Sequence, residues 1–452
     1  MLAAAPASLR LPLDTDTYRS PRGSQRKHFW LAVGEVAGVN VVTWAGDRLV
    51  LNASFARISV DSWKQNLKTG LRYDDDDFPT NQAEHPFHGS FYFNAARTNG
   101  LSFWESALFP AAGSLMWEYF GETQAPSTND LINTSVGGVT HGEIVYRLST
   151  MLFDNTASGS GRLWRELGGF VLNPMAGLNR LLHGETTKDF PNPDDRLPGS
   201  FSVEIDAGFQ HLADGGAAPV PFPNQSLVEI LVRHGDPFLG ENRQPFDYFE
   251  FLVEFGQPSG DAIATRWQER GQLHSWQLSA SRRSEHRLGV FLNYDYINNQ
   301  TQVFSAQSLS VNILSRFPLV RGAELRAELA AIGYPLAAVQ TDYPADGVAV
   351  TTIGRPYDYG QGGGARVLAH LYRGSLELLL FSYEVLWLDT SNGISLHSAI
   401  QSFHAEGRLP LSSKLAVGAG YTWNKRITSY SQRSTVEVEG PQWRVFGSVL
   451  LK

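Results

Sequence analysis

The stretch Val203-Glu204-Ile205-Asp206-Ala207-Gly208-Phe209-Gln210 decides the fold. Val203, Ile205, Ala207 and Phe209 alternate with Glu204, Asp206, Gly208 and Gln210, so a strand here carries one apolar face and one charged face. The pattern returns downstream. Phe249, Phe251, Val253 and Phe255 oppose Glu250 and Glu254; Leu288, Val290, Leu292, Tyr294 and Tyr296 oppose Arg287, Asn293 and Asp295. Ala323, Leu325, Ala327, Leu329 and Ala331 oppose Glu324, Arg326 and Glu328, and Leu415, Val417, Ala419, Tyr421 and Trp423 oppose Ala416, Gly418, Gly420 and Thr422. About twelve such segments follow, many of roughly nine to thirteen residues, which matches a tilted membrane strand better than an ordinary strand of roughly five or six.

Connections alternate between short ones, such as Asn298-Asn299-Gln300 and Arg373-Gly374, and longer ones, such as Pro335 to Gly364 with its glycine run from Gly360. That asymmetry predicts an up-and-down β-barrel of about 12 antiparallel strands, apolar outside and charged in the lumen. Tyr294 and Tyr296, Tyr383 and Trp387, and Tyr421 and Trp423 fall where an interfacial girdle would lie. A soluble sandwich or barrel is the alternative, but it would turn its apolar face inward. The last segment, from Trp443, alternates as well and ends on Lys452, without the terminal aromatic common in outer-membrane barrels.

Upstream the period changes. Thr186 to Ser200 is a proline- and aspartate-rich connector, and before it apolar residues recur at intervals of three and four. Helices are expected over Trp30 to Val42, Phe103 to Glu122, His141 to Phe153 and Gly161 to Leu172, with Pro110 splitting the second. Asn173-Pro174 caps a further short helix that Gly184 closes. The chain therefore divides into a flexible start (1–25), a helical domain in or under the barrel as plug or cap (26–185), a linker (186–200) and a transmembrane barrel (201–452). The small residues of Met1 to Ala7, with neither a basic nor a long apolar region, suggest a signal peptide that has been removed or replaced.

Composition narrows the function. Over 452 residues, charged residues make up only 18% and aromatics 12%, a mix that leans to β structure with large aromatic surfaces. No uninterrupted run of about 18 apolar residues marks an ordinary helical membrane protein. Cysteine is absent, which excludes disulfides, thiolate metal sites and cysteine nucleophiles. A formal charge of -8 and no basic stripe exclude nucleic acid as a natural partner. Outer-membrane lipid, with lipopolysaccharide as a candidate ligand, is the partner such a barrel implies.

Between Trp63 and Gly184 several strings occur in order: Asp76-Asp77-Phe78, Asn81-Gln82, His85-Pro86-Phe87-His88-Gly89-Ser90, Ala95-Ala96-Arg97-Thr98-Asn99-Gly100 and Gly113-Ser114-Leu115-Met116-Trp117-Glu118-Tyr119. Pro126-Ser127-Thr128-Asn129-Asp130, Gly137-Gly138, Gly142-Glu143, Tyr146-Arg147-Leu148 and Asn173-Pro174 continue them. The stretch resembles a bacterial domain-of-unknown-function family of Gram-negative envelopes, in which this helical segment precedes a β-rich half. The resemblance implies an envelope location and no reaction type.

Glu118 and Glu122 lie one turn apart on an otherwise apolar, aromatic helix face, where two carboxylates repel unless a cation or a shared proton joins them. With His141 and Glu143 they form the candidate catalytic set. Arg147, Arg162, Arg165, Glu166 and Arg180 are its supporting charges. The plainer reading of all nine is structural ion pairing between helices or to the charged barrel wall. Asp76, Asp77, His85 and His88 are candidate metal ligands, calcium being the ion of choice, although Pro86 argues against a regular helix between the histidines and a solvated acidic loop is the simpler account. Ser114 or Ser127 with His141 offers no favoured spacing, the Gly360 run is no phosphate loop, and no Gly-x-Ser-x-Gly elbow exists. Three readings remain: a plugged barrel for envelope transport or organisation, a membrane-embedded enzyme acting on lipid or lipopolysaccharide, and a soluble periplasmic β-protein.

Overall fold

The computed structural model describes residues 27–193, 196–213, 223–238, 244–257, 264–343, 355–431 and 433–451; the segment 1–25 expected to be flexible lies outside them. Twelve antiparallel strands close into one barrel: β1 (Phe201–Leu212), β2 (Asn224–His234), β3 (Phe249–Phe255), β4 (Arg266–Ala280), β5 (Glu285–Asn298), β6 (Val303–Pro318), β7 (Ala323–Gln340), β8 (Tyr357–Arg373), β9 (Leu376–Asn392), β10 (Ser395–Pro410), β11 (Leu415–Tyr430) and β12 (Val436–Leu451). Each pairs with its sequence neighbours, and β1 closes on β12 with Val203 opposite Leu451 and Phe209 opposite Val445. Closure removes both sheet edges. Gly374, at φ 64, makes the tight turn between β8 and β9 that a residue with a Cβ would strain. The glycines from Gly360 to Gly364 belong to β8 rather than to a loop, β7 and β8 having absorbed the two ends of the expected long connection.

The two faces of the wall can be told apart by what they bond to. Arg233 on β2 donates to Glu377 on β9 at 2.7 Å, and Arg408 on β10 donates to Glu204 and Asp206 on β1 at 2.6 and 3.0 Å. These pairs skip intervening strands, so the charged parity faces the lumen. Arg444 adds Glu229 at 3.0 Å and Glu406 at 2.6 Å. Ionised side chains excluded from water need such partners, and here the wall supplies its own. At the end of the barrel where the chain enters and leaves, Asp236 holds Arg326 at 2.9 Å while Phe238 packs on the inward-facing Phe291 and Leu314. A central cavity of about 230 Å³ remains among the charges.

The opposite parity is apolar. Leu379, Phe381, Tyr383 and Trp387 on β9, Val417 on β11 and Trp443, Val445, Val449 and Leu451 on β12 are exposed. An aromatic row, Phe381–Phe403–Tyr421–Trp443, crosses β9 to β12 with ring centroids 5.4 to 6.2 Å apart.

Nine helices precede the barrel among the described residues: α1 (Phe29–Ala45), α2 (Val60–Thr69), α3 (His85–Arg97), α4 (Phe103–Ser106), α5 (Phe109–Phe120), α6 (Thr128–Ile132), α7 (Gly138–Leu152), α8 (Gly159–Leu172) and α9 (Pro174–Leu182). Pro110 separates α4 from α5 as expected, and the Asn173 side chain caps α9 by accepting from Ala176 N at 3.0 Å. Pro86 does not interrupt α3. It lies in the first turn of α3, directly after the π-helical turn Thr80–Glu84, and both His85 and His88 are helical.

The helical domain is not a plug. It lies against the outer wall. Phe93, Phe103, Val139 and Ile144 form one cluster with Val203, Ile230, Val232, Phe249, Phe251 and Leu292, all of outward parity on β1, β2, β3 and β5. A second cluster joins Phe78 to the outward Tyr294, Tyr296, Tyr357 and Tyr359. Tyr294 and Tyr296 are therefore covered by helices and do not serve as girdle residues. The physical reason is complementarity: the lumen is filled by its own ion pairs, while the outer faces of β1 to β8 offer apolar side chains to bury. Within the domain α3 and α7 approach closely at glycines, since a Cβ on Gly89 would fall 2.0 Å from Thr134 O and 2.9 Å from Gly138 Cα.

Candidate functional site

A set of carboxylates gathers where the Asp74–Asp77 run, α5 and α6 meet. Glu118 and Glu122 point from the same face of α5 and its end, both buried, and hydrogen-bond to each other. Glu118 Oε2 also accepts from Ser127 N at 2.7 Å. Asp74 accepts from Asn81 Nδ2 at 2.7 Å and Asn129 Nδ2 at 3.0 Å, and shares a hydrogen bond with Asp130. Asp130 meets His85 Nε2 at 3.4 Å. Two π-helical turns, Thr80–Glu84 and Asn133–Gly137, carry Asn81 and the end of this arrangement; such turns reposition side chains that a regular helix would aim elsewhere. The barrel rim completes it: Tyr357 Oη donates to Asp76 O at 2.8 Å, and Arg355 donates to Asp74 O.

Electrostatics follow from burial. Desolvation pushes the Glu118 carboxyl up to about 8, helped by the charges of Asp74 and Asp76 and opposed by its hydrogen bonds to Ser127 and Glu122, and pushes Glu122 well above its usual range, where Glu118 adds to the effect; among the described residues neither has an ion-pair partner. Burial raises Asp130 strongly too, and Asp76 to about 6, the latter helped by Asp74, Asp75 and Asp77. Asp74 stays below its usual value despite burial because Asp130, Asn81, Ser127 and Asn129 hydrogen-bond its charged form. Burial lowers His85 and His88 to about 4, so both are neutral at physiological pH. The result is a protonated pair of glutamates a few residues from an ionised aspartate, reached from the surface through the exposed Asp75 and Asp77.

The structure divides the residues expected from sequence. Glu118 and Glu122 are together, but Glu143 lies elsewhere, fully buried between Arg97 Nε at 2.8 Å and Arg147 Nε at 2.9 Å, with Arg147 tied onward to Asp247 at 3.1 Å. His141 joins the helices to the wall: its Nδ1 meets Glu269 Oε1 of β4 at 2.7 Å and its ring stands edge-on to Trp267. Arg180 clamps Glu166 at 2.6 and 2.9 Å, Arg162 holds the carbonyls of Asn155 and Glu185, and Arg165 is 4.0 Å from Asp154. These fix α8 to α9 and to the linker. Of the expected metal ligands, Asp77 turns away to accept from Thr80 N at 2.9 Å and His88 packs its ring against Tyr92 at a tilt. Among the described residues no three ligating side chains converge on a metal position. Ser127 caps α6 through Asp130 N at 3.1 Å rather than meeting His141. Sequence reasoning missed Asn81, Asn129 and Asp130 as site residues, although Asn81-Gln82 and Asn129-Asp130 stand in the strings that carry the family resemblance.

Several solved structures overlap the barrel weakly. The NanC porin is 6% identical over 55% of this chain and 100% of its own, with a TM-score of 0.27. OmpT of Vibrio cholerae is 9% identical over 56% and 97%, at 0.24, and the outer-membrane channel DcaP of Acinetobacter baumannii is 8% identical over 56% and 96%, also at 0.24. The fold itself rests on the strand pairing described above. Among curated proteins no sequence match exists. Residues 70–175, the span that holds α3 to α8 and every carboxylate of the cluster, match the family described as a domain of unknown function, DUF3943.

Proposed function

We propose that the protein is an outer-membrane barrel that acts on envelope lipid, a phospholipid or lipopolysaccharide, through the carboxylate cluster of its helical domain, the barrel serving as the carrier. The observation behind this reading is the buried Glu118–Glu122 pair, uncompensated by a cation among the described residues, on a domain mounted on the apolar outer wall. A carboxylic acid that keeps its proton near neutral pH can donate it to a leaving oxygen, and an ionised Asp74 nearby can orient or accept a proton in return. Neutralising an isolated glutamate pair by substitution would be harmless to a purely structural site, whereas a lipid-acting site would fail. The test is the lipid and lipopolysaccharide profile of Glu118→Gln and Glu122→Gln strains, with His141→Ala as a structural control. Profiles identical to the parent in both glutamate variants would sink the proposal.

Envelope transport through the barrel is the second reading, and the charged central cavity is what favours it. With the helices outside the lumen, opening the passage depends on the Arg–carboxylate network and on Phe238. Single-channel recording in planar bilayers separates the readings, since a transport barrel conducts or gates and a carrier barrel does not.

A further inference from the structure

We infer that the helical domain is itself immersed in the bilayer, with the outer faces of α1, α8 and α9 in contact with lipid acyl chains; this rests on reading the barrel as membrane-spanning. The first observation is an inverted distribution of polarity. Asn81, Asn94, Asn99, Asn129, Asn173 and Asn179 are buried, bonding to backbone and to one another, as Asn173 Nδ2 does to Asn94 Oδ1 at 2.8 Å and Asn179 Nδ2 to Thr98 Oγ1 at 2.7 Å. The outer faces of α1, α8 and α9 are largely apolar instead: Trp30 is 80% exposed, Val42 72%, Trp164 70% and Val171 80%, with Leu181 and Leu182 beside them. A water-soluble domain does the reverse, and helices in lipid join through such polar side chains and small residues. The close glycine contact of α3 with α7 is of the same kind.

The second observation concerns α1. With the turn that extends it, α1 forms a helix of 22 residues, Phe29–Val50, with a mean hydropathy of 1.2 and only 22% of its most apolar window buried. It is long and apolar enough to cross a membrane although the sequence lacks an unbroken apolar run, and the one acid within α1, Glu35, is buried and bonded by Asn99 and Asn179.

The third is continuity with the wall. The helices seat on Val203, Ile230 and Val232, and Val203 pairs with Leu451, whose exposed neighbours Val449 and Val445 carry the apolar belt onward around the barrel. A domain fixed at that level beside the belt shares its surroundings. The groove between α8 and α9, floored by Leu163, Leu167, Phe170 and Leu181, would seat a chain end.

The chain has no cysteine, so single substitutions report from chosen positions. Val42→Cys, Trp164→Cys and Val171→Cys, each carrying an environment-sensitive fluorophore on the full chain in phosphatidylethanolamine/phosphatidylglycerol vesicles, are expected to show blue-shifted emission, quenching by spin-labelled acyl chains and loss of quenching by aqueous iodide. Val445→Cys reports the barrel wall and Lys64→Cys the aqueous side. Iodide quenching at the three helix positions, with Val445 still quenched from the lipid, overturns the inference and leaves the barrel reading intact; iodide quenching at Val445 overturns the barrel reading itself. Helix labels shielded from both quenchers, with cross-linking between copies, would assign that face to a second copy of the chain and also overturn it.

Discussion

Two buried carboxylate centres in the helical domain are built on opposite terms. Glu143, between α3 and the wall, accepts from Arg97 and Arg147, so its charge is matched on two sides. Glu118 and Glu122 have each other, Ser127 N, the Trp117 side chain and further carboxylates for company, and among the described residues no cation. The first arrangement holds helices together; the second keeps protons where solvent would remove them. A chain that needed only stability would have no use for the second, because a buried uncompensated carboxyl is costly wherever it ionises. That difference is what separates a fastening from a candidate site.

The sharpest way to break the comparison is to uncouple the matched centre. Arg97→Met leaves Glu143 buried with half its compensation, and removal of one partner of a buried pair costs about 3–5 kcal/mol. The expected result is an early loss of helical circular dichroism in urea with the barrel's heat-modifiable migration unchanged. Arg97→Met with Glu143→Met should recover most of the loss. A single variant as stable as the parent would mean that the pair does not fasten α3 to α7.

The next effect tests the fastening to the wall. Glu269 points outward from β4, where a lipid-facing barrel cannot keep a carboxylate, and it is held by His141 Nδ1 at 2.7 Å and Trp267 Nε1 at 2.9 Å. Glu269→Leu removes a charged hydrogen bond of about 1.5–3 kcal/mol and strands the imidazole. Limited proteolysis should then release the helical domain while the barrel survives. If cleavage rates do not change, the apolar cluster alone carries the attachment.

Glu269 also shows what the sequence disclosed and what it concealed. Alternation of period two marks strands and which face is apolar, so the barrel and its approximate strand number were readable from residues such as Val203 to Gln210. It does not say what covers a face. Two signs were nonetheless present: Glu269 and Gln307 are polar on the outward parity, and an acid on a wall meant for lipid calls for a covering partner. The i,i+4 spacing of Glu118 and Glu122 likewise put both on one helix face. That Asp74 and Asp130 join them, and that His141 and Glu143 do not, depends on how α3, α5 and α7 cross, and long-range packing of that kind leaves no local period.

The smallest expected effect is a slope with pH, and it belongs to the unmatched centre alone. A carboxyl whose folded pKa is raised binds more protons folded than unfolded between the two values, so stability falls as pH rises through that window. For Glu118 the window runs from about 4.5 to about 8. His85 and His88, lowered to about 4, act in the opposite sense between about 4 and 6.5, where stability rises with pH, and they mask the carboxylates there. Above 6.5 the histidines are silent. Between pH 6.5 and 8 the unfolding free energy read from the helical signal in urea should therefore fall, by on the order of 1 kcal/mol per pH unit. Glu118→Gln with Glu122→Gln should flatten that slope and leave the neutral-pH stability equal or slightly higher, while Glu143→Gln should leave the slope and lower the stability. A parent chain with no slope above pH 6.5 would mean that a cation occupies the centre in solution, and the two carboxylate centres would then be alike.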